Sequence, residues 1–353
     1  MQSECKARAG RPPRRVPCAS FSGVSLALDD RSAWLAQHGF AAVALEPMPG
    51  DVSPRRYLRV RAAGGSTAIL ALYPEPGRDS CDRFTATTAL LERAGVRVPR
   101  ILATDRERGV MLLEDLGPRT LYDLEAEPWE ILEPFFERAV DAVARIRALP
   151  RHEVAALNPP LDRALLEREL EKTCAVFLAP RGLLGDAVER AAFEAALAEL
   201  CARLAALEPL ACHRDFMARN LVPLPGGEVG VLDHQDLRLG PPEYDLASLL
   251  NDSLFPPPAV EARMLGLGPP AAAPLDYRRA AAQRALKAVG TFAAFAERGA
   301  ERHLRLIPPT LSRALDHLEA LPELAPVAPA LRRRWAAVWS DRSVTLPARR
   351  PRT

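Results

Sequence analysis

The hydrophobic pattern of this 353-residue chain changes near Glu114-Asp-Leu-Gly117. Before that point, short alternating runs between turn residues predict an antiparallel sheet. After it, long segments with a period near 3.6 residues predict one helix after another. The chain is therefore expected to form an α+β protein with a small antiparallel β lobe at its N-terminus and a mostly helical C-terminal lobe.

The N-terminal half contains four predicted strands and two predicted helices. The first two strands flank Gly64-Gly65, and this alternation around a Gly-Gly turn is typical of a hairpin. The second helix should end at Gly95. The predicted strands are residues 56–61, 67–73, 100–104 and 109–113, and the predicted helices are residues 32–40 and 82–94.

The C-terminal half is predicted to be helical with one β-rich interruption, residues 221–232, around the turn Pro225-Gly-Gly227. The predicted helices are residues 128–149, 163–177, 186–207, 277–298 and 309–321. We predict a disordered basic tail over residues 1–23, the N-terminal lobe over 24–116, the C-terminal lobe over 117–340 and a second disordered tail over 341–353.

Composition argues against several classes of protein. The 47 basic residues nearly balance the 45 acidic ones, so no strong field favours nucleic acid. No run reaches the roughly 18 apolar residues of a membrane span, and no secretory h-region follows the N-terminal arginines. Six cysteines without metal-ligand spacing predict reduced thiols in a cytoplasmic protein.

The segment His213-Arg-Asp-Phe-Met-Ala-Arg-Asn220 matches H-R-D-x-x-x-x-N, the pattern of a kinase catalytic loop. An attacking hydroxyl needs a carboxylate that orients it and accepts its proton, and Asp215 is the candidate. His213 is expected to brace the loop by hydrogen bonding. Asn220 can offer a carbonyl oxygen to Mg²⁺. The alternative is that Asp215 and Asn220 only cap a turn.

A second Mg²⁺ ligand is expected where the apolar run Val229-Gly-Val-Leu ends at Asp233. The order of base, amide, β-hairpin and carboxylate is that of kinases, although Asp233 could be an ordinary aspartate at a strand end. Asp236 is a candidate substrate or metal contact, or a turn cap. Asp245 is expected to anchor a helix start to the catalytic loop.

Four segments together resemble the aminoglycoside-phosphotransferase-like kinases. They are residues 50–60, 112–117, 213–220 and 232–240, and the resemblance extends over about 50–324. Within that family they look most like the anomeric kinases of N-acetylmuramate and N-acetylglucosamine in cell-wall recycling. Gln283-Arg-Ala-Leu-Lys287 is similar to a late helix of the same subfamily.

The resemblance implies a protein-kinase-like two-lobed fold, ATP and Mg²⁺ as cofactors, and an amino sugar as the small-molecule substrate. It places Gly50 and Ser53 in the turn that covers the ATP phosphates. Glu114 and Leu116 would form the hinge between the lobes, whose backbone meets adenine. Residues 112–117 could also be merely an edge strand and a turn.

The sequence departs from the family pattern at two positions. Kinases place a lysine on the third strand, but the chain has no lysine between Lys6 and Lys172, so Arg56, or alternatively Arg55, is expected to reach the phosphates. Solvated arginines are the other interpretation. Met217 offers neither charge nor a strong donor in the catalytic loop.

Arg219 or Arg238 could compensate for Met217, and Arg219 is taken with Asp236 as an expected substrate contact. The acceptor identity depends on this region, so a different sugar or an aminoglycoside stays open as the acceptor. A catalytically degraded, nucleotide-binding pseudokinase is the alternative from another functional class. It does not explain why four residues of the kinase pattern occur together, namely His213, Asp215, Asn220 and Asp233.

Overall fold

The structure, a computed structural model, describes residues 28–41, 44–48, 55–73, 78–268 and 274–340. The turn predicted to carry Gly50 and Ser53 lies outside these residues, as do the tails predicted over 1–23 and 341–353.

The N-terminal lobe is a five-stranded antiparallel sheet with the strand order β1-β2-β3-β5-β4. Its strands are β1 (Ala44–Pro47), β2 (Arg56–Arg61), β3 (Thr67–Leu72), β4 (Ile101–Asp105) and β5 (Val110–Glu114). The four strands predicted from alternation are confirmed to within one residue at each end. The prediction missed β1, which is too short to show an alternating pattern.

Each face of the sheet is covered by one helix, α1 (Leu28–Gln37) or α2 (Arg78–Arg93). Leu70 and its alternate neighbours pack with Leu35 of α1, whereas Ala71 and Met111 pack with Phe84 of α2. This is the period-2 alternation of a sheet that is buried on both faces.

Helices form the C-terminal lobe. They are α3 (Trp129–Arg147), α4 (Arg151–Ala155), α5 (Arg163–Thr173), α6 (Ala187–Ala205), α7 (Tyr244–Asn251), α8 (Pro258–Leu267), α9 (Pro274–Glu297), α10 (Ile307–Glu319) and α11 (Ala328–Ser340). The five predicted helices are confirmed, but the helix predicted over 163–177 changes into a π-helical turn at Cys174–Leu178. Within the described ranges, no helix has the length and apolarity needed to cross a membrane.

Helix α9 is packed tightly on α5. A Cβ atom on Gly290 of α9 would lie 2.2 Å from Thr173 Oγ1 and 2.8 Å from Thr173 Cα. The Thr173 hydroxyl donates a hydrogen bond to the Leu286 carbonyl oxygen at 2.9 Å. The glycine therefore lets the two backbones approach closely, and this fixes which α9 side chains reach the site described below.

Four short strands between α6 and α7 form two hairpins, one nested inside the other. The outer pair is β6 (Leu210–Cys212) with β9 (Arg238–Gly240), and the inner pair is β7 (Leu221–Pro223) with β8 (Val229–Val231). The segment 213–220 connects β6 to β7, and 232–237 connects β8 to β9. Both motif-bearing loops thus run between the same two strand pairs, which hold them at each end.

Candidate active site

A cavity of about 310 Å³ lies between the sheet and the helical lobe. Its wall combines side chains of β2, the connection after β5 and the two motif loops; among them are Arg55, Tyr57, Arg59, Leu116, Asn220 and Asp233. A larger, more open cavity of about 820 Å³ also has Glu114 in its lining, but it includes no residue of the loops 213–220 and 232–237. The smaller cavity is therefore the candidate active site.

Asp215 lies in the catalytic loop with its Oδ1 atom 3.2 Å from both Arg284 Nη1 and Lys287 Nζ. Burial alone would raise the pKa of Asp215, but the charges of Lys287, Arg284 and Arg214 outweigh it and hold that pKa well below its ordinary value. The side chain is 28% exposed. The carboxylate is therefore ionised at neutral pH and can orient a donor hydroxyl.

The loop is braced from below by His213 and Asp245. His213 is fully buried, and its Nε2 atom lies 2.9 Å from the Leu232 carbonyl oxygen. The backbone N–H groups of His213 and Arg214 donate to the two Asp245 oxygens at 2.6 and 2.9 Å. These bonds hold Arg214 in a left-handed conformation with φ of 78°. They confirm that Asp245, at the start of α7, anchors that helix to the loop.

Asn220 and Asp233 both line the cavity. The Asn220 Nδ2 atom donates to the Asp215 carbonyl oxygen at 2.8 Å, which leaves its Oδ1 as the free ligand atom of that side chain. Asp233 is 45% exposed and adopts a left-handed conformation, with φ of 59°. An amide oxygen and a carboxylate are the hard oxygen ligands that Mg²⁺ prefers, so these two residues could hold the ion.

The structure separates the two arginines at the start of β2. Arg55 lines the cavity, and its Nη2 atom lies 3.5 Å from Asp233 Oδ1. Tyr57 and Arg59 follow on the same face. Arg56 points to the opposite face and is exposed. The arginine in the cleft is therefore Arg55, the alternative of the sequence analysis, and Arg56 does not line the cavity.

The connection after β5 is held by two sets of ion pairs. The Glu114 carboxylate binds Arg97 at 2.6 Å and Arg100 at 3.2 Å. Burial works against ionisation, but these arginines outweigh it and lower the pKa of Glu114 to about 2. Asp115 forms a bidentate pair with Arg59 at 2.8 and 3.1 Å. The expected hinge is thus a rigid, charged connection.

Leu116, the other expected hinge residue, lines the cavity and packs on β8, where a Cβ atom on Gly230 would lie 2.5 Å from Leu116 Cδ1. The glycine makes room for the leucine. This contact ties the hinge to the strand that leads into Asp233.

The two expected substrate contacts lie in different surroundings. Asp236 is 40% exposed and pairs with Arg214 at 3.1 Å. Arg219 pairs with Asp252 at 3.2 Å, and its Nη2 atom donates to Met217 Sδ at 3.2 Å. The structure therefore leaves Asp236 at the edge of the site and ties Arg219 to the helical lobe.

Several charged residues of the site have no role in the sequence predictions. Glu169 of α5 binds Arg214 at 3.0 Å and Lys287 at 3.4 Å. The family resemblance includes Lys287 but predicts no function for its side chain. A usable signal was present, because Gln283 and Lys287 are one helical turn apart in an alanine-rich helix.

Known proteins are similar to this chain in sequence. The sequence profile described as "Phosphotransferase enzyme family" matches residues 44–282. An N-acetylmuramate/N-acetylglucosamine kinase of Pseudomonas aeruginosa is 36% identical over 297 residues, covering 80% of this chain and 86% of the relative. A protein of the same name from Caulobacter vibrioides is 30% identical, covering 91% of this chain and 97% of the relative.

Solved structures show the same fold at low sequence identity. Choline kinase LicA from Streptococcus pneumoniae superposes with a TM-score of 0.58 at 15% identity, covering 84% of this chain and 98% of its own. Macrolide 2'-phosphotransferase MphH from Brachybacterium faecium gives 0.55 at 18% identity, with the same coverages. The predicted protein-kinase-like two-lobed fold is confirmed. Since the family profile spans more than half of the sequence and the relatives cover most of it, this chain belongs to the phosphotransferase enzyme family.

Proposed function

We propose that this phosphotransferase uses ATP and Mg²⁺ to phosphorylate the anomeric hydroxyl of N-acetylmuramate or N-acetylglucosamine. The observation that carries the substrate class is that relatives 30–36% identical, matched over 78–91% of this chain, bear the name N-acetylmuramate/N-acetylglucosamine kinase. The intact catalytic loop, in which Asp215 is ionised and Asn220 lines the cavity, supports turnover rather than nucleotide binding alone.

Asp215 is the group proposed to act on the acceptor. Its carboxylate accepts a hydrogen bond from the sugar hydroxyl, directs the oxygen at the γ-phosphorus and takes the proton. The new oxygen–phosphorus bond forms as the bond between the γ-phosphorus and the bridging oxygen breaks. The electron pair of the broken bond leaves on ADP. His213 acts on the loop and not on the sugar, because it is fully buried.

Asn220 and Asp233 are the residues proposed to hold Mg²⁺, which when bound neutralises charge on the nucleotide phosphates. Their own contribution is position. Asn220 is bonded to the Asp215 backbone, so ligand and base move together. Gln235 donates to Asp233 Oδ1 at 2.9 Å and orients that carboxylate.

The nucleotide is proposed to occupy the 310 Å³ cavity, with adenine against the backbone of Glu114 and Leu116. Arg55 is the cation that we assign to the phosphates in place of Arg56, because it lines the cavity and Arg56 does not. Asp236 is proposed to contact the sugar. Arg219 is proposed to shape the sugar site indirectly, through its bonds to Met217 and Asp252.

An ADP-release assay with Mg²⁺ and ATP tests the proposal. The acceptor panel holds N-acetylmuramate, N-acetylglucosamine, other free sugars and aminoglycosides, and each is run beside Asp215→Asn. We expect turnover on an amino sugar, lost in the variant, and ³¹P NMR should place the phosphate on the anomeric carbon. Turnover on an aminoglycoside would refute the sugar assignment. ATP binding without turnover on any acceptor would identify a pseudokinase.

A further inference from the structure

Two cations converge on Asp215 from outside the catalytic loop. Arg284 and Lys287, both on α9, lie 3.2 Å from Asp215 Oδ1, although they follow it by 69 and 72 positions in the chain. Arg284 is 3% exposed and also faces Asp252, whereas Lys287 is 13% exposed. Of the two, Lys287 has the greater access to the space in front of Asp215.

The arginines of the catalytic loop are already committed to other partners. Arg219 binds Asp252 and Met217 Sδ, and its guanidinium stacks 5.1 Å from the Phe292 ring centroid. Arg214 bridges Glu169 and Asp236. The Met217 side chain carries no charge, and its sulfur accepts a hydrogen bond from Arg219. Among the described residues of the catalytic loop, both arginines are therefore engaged by other side chains. The loop has no further arginine or lysine that could contact a phosphoryl group next to Asp215.

Lys287 has the donors to fill that gap. Its ammonium carries three N–H groups, and its contacts are Asp215 Oδ1 at 3.2 Å and Glu169 Oε1 at 3.4 Å. Gln283, at 3.0 Å, and Arg214 both donate hydrogen bonds to Glu169 and fix its position. The Glu169 carboxylate in turn fixes the position of the Lys287 ammonium. The hydrogen bond to Asp215 uses one of the three N–H groups, and Glu169 forms an ion pair with the ammonium, so the group has donor capacity for a further acceptor.

We infer that Lys287 is a catalytic residue that donates a hydrogen bond to the transferring phosphoryl group while it orients Asp215. The inference rests on the proposed function. In phosphoryl transfer, negative charge is spread over the equatorial oxygens of the group in flight. A fixed ammonium next to the base stabilises that charge and costs no reorganisation when the reaction occurs. Lys287 thereby replaces, from α9, a cation that position 217 does not supply.

The first test is steady-state kinetics of Lys287→Met and Lys287→Arg. We expect kcat of the Met variant to fall about 10²- to 10³-fold while the KM for ATP changes little, with partial recovery in the Arg variant. Lys172→Met is the matched control, because Lys172 is exposed near the end of α5. Unchanged kcat in Lys287→Met, or an equal loss in Lys172→Met, would overturn the inference.

A second test separates contact with phosphate from action through Asp215. Calorimetry measures the affinity for tetrafluoroaluminate in the presence of Mg²⁺, ADP and the sugar that the wild type phosphorylates. The wild type is compared with Lys287→Met. The measurement is repeated in the Asp215→Asn background. We expect the lysine substitution to weaken the tetrafluoroaluminate complex about 10- to 100-fold in both backgrounds.

Weakening only where Asp215 is present would show a positioning residue and overturn the inference. The affinity for ADP and the melting temperature report whether each variant is folded. If Lys287→Met does not fold, Lys287→Gln takes its place, since the amide keeps a donor for Glu169 without the charge. Absence of wild-type turnover on every sugar would instead refute the proposed function, so the two failures are distinguishable.

Discussion

Arg55 of the N-terminal lobe and Asp233 of the helical lobe face each other across the cleft, with Arg55 Nη2 3.5 Å from Asp233 Oδ1. A guanidinium in this position can pair with nucleotide phosphates. We expect Arg55→Ala to raise the KM for ATP about 10-fold or more. Arg56→Ala, next to it on the opposite face of β2, is the control and should leave the KM unchanged. The reverse result would return the phosphate contact to Arg56.

The ion pair Arg59–Asp115 should contribute more to stability than the neighbouring ion pair Arg61–Glu46. The first is 14% and 6% exposed, the second 48% and 52%. Removing Arg59 leaves a buried carboxylate unpaired, so Arg59→Ala should lower the free energy of unfolding by about 3 kcal/mol or more. Arg61→Ala should leave the free energy of unfolding nearly unchanged, because exposed ion pairs contribute little. Urea titrations of both variants check this, and equal losses would contradict it.

Asp245→Ala should damage catalysis through the loop backbone. The substitution leaves the buried N–H groups of His213 and Arg214 without their acceptor, each at a cost of about 1–3 kcal/mol. We expect kcat to fall at least about 10-fold because the Arg214 conformation relaxes. Asp162→Ala, which removes the N-cap of α5, is a control that should reduce stability but not kcat. Stopped-assay kinetics and thermal melts distinguish the two effects.

His317 should make stability depend on pH. Its Nε2 atom lies 2.8 Å from Asn251 Oδ1, and burial lowers the pKa of His317 to about 4. The unfolded chain binds this proton at higher pH than the folded chain. Stability is therefore full above the unfolded pKa of about 6.5 and is lost as pH falls towards 4, by roughly 3 kcal/mol. Unfolding curves of His317→Gln should show a smaller loss over this window; an identical loss would rule His317 out.

The part of the site that was predictable is local in sequence. The order Asp215, Asn220, hairpin and Asp233 places the base and both proposed metal ligands within one short stretch, and Asp245 follows it closely. Motif spacing reports such arrangements directly, because the connecting strands allow few alternatives. Four of the five strands of the sheet were likewise predictable, because short apolar runs bounded by turn residues mark them.

What could not be predicted depends on packing between distant segments. Lys287 reaches Asp215 only because Gly290 lets α9 approach α5, and no spacing rule connects residues 72 positions apart. The choice between Arg55 and Arg56 depended on which face of β2 meets the cleft, because neighbouring residues of an extended segment point to opposite faces. The alternating pattern of β2 alone does not show which of its two faces lines the cavity.

The nested hairpins have a consequence for motion. Asp215, Asn220 and Asp233 all lie in loops clamped by β6–β9 and β7–β8, within a single lobe. If the lobes swing apart to admit or release a nucleotide, the contact between Arg55 and Asp233 stretches, and so do contacts of α2 with the helical lobe such as Thr88 Oγ1–His234 Nε2 at 2.8 Å. Distances among the three hairpin residues stay constant throughout the swing. Opening and closing can thus change the contacts of the N-terminal lobe with a nucleotide while Asp215, Asn220 and Asp233 keep their arrangement. Only the half of the site that the N-terminal lobe contributes has to form again in each cycle.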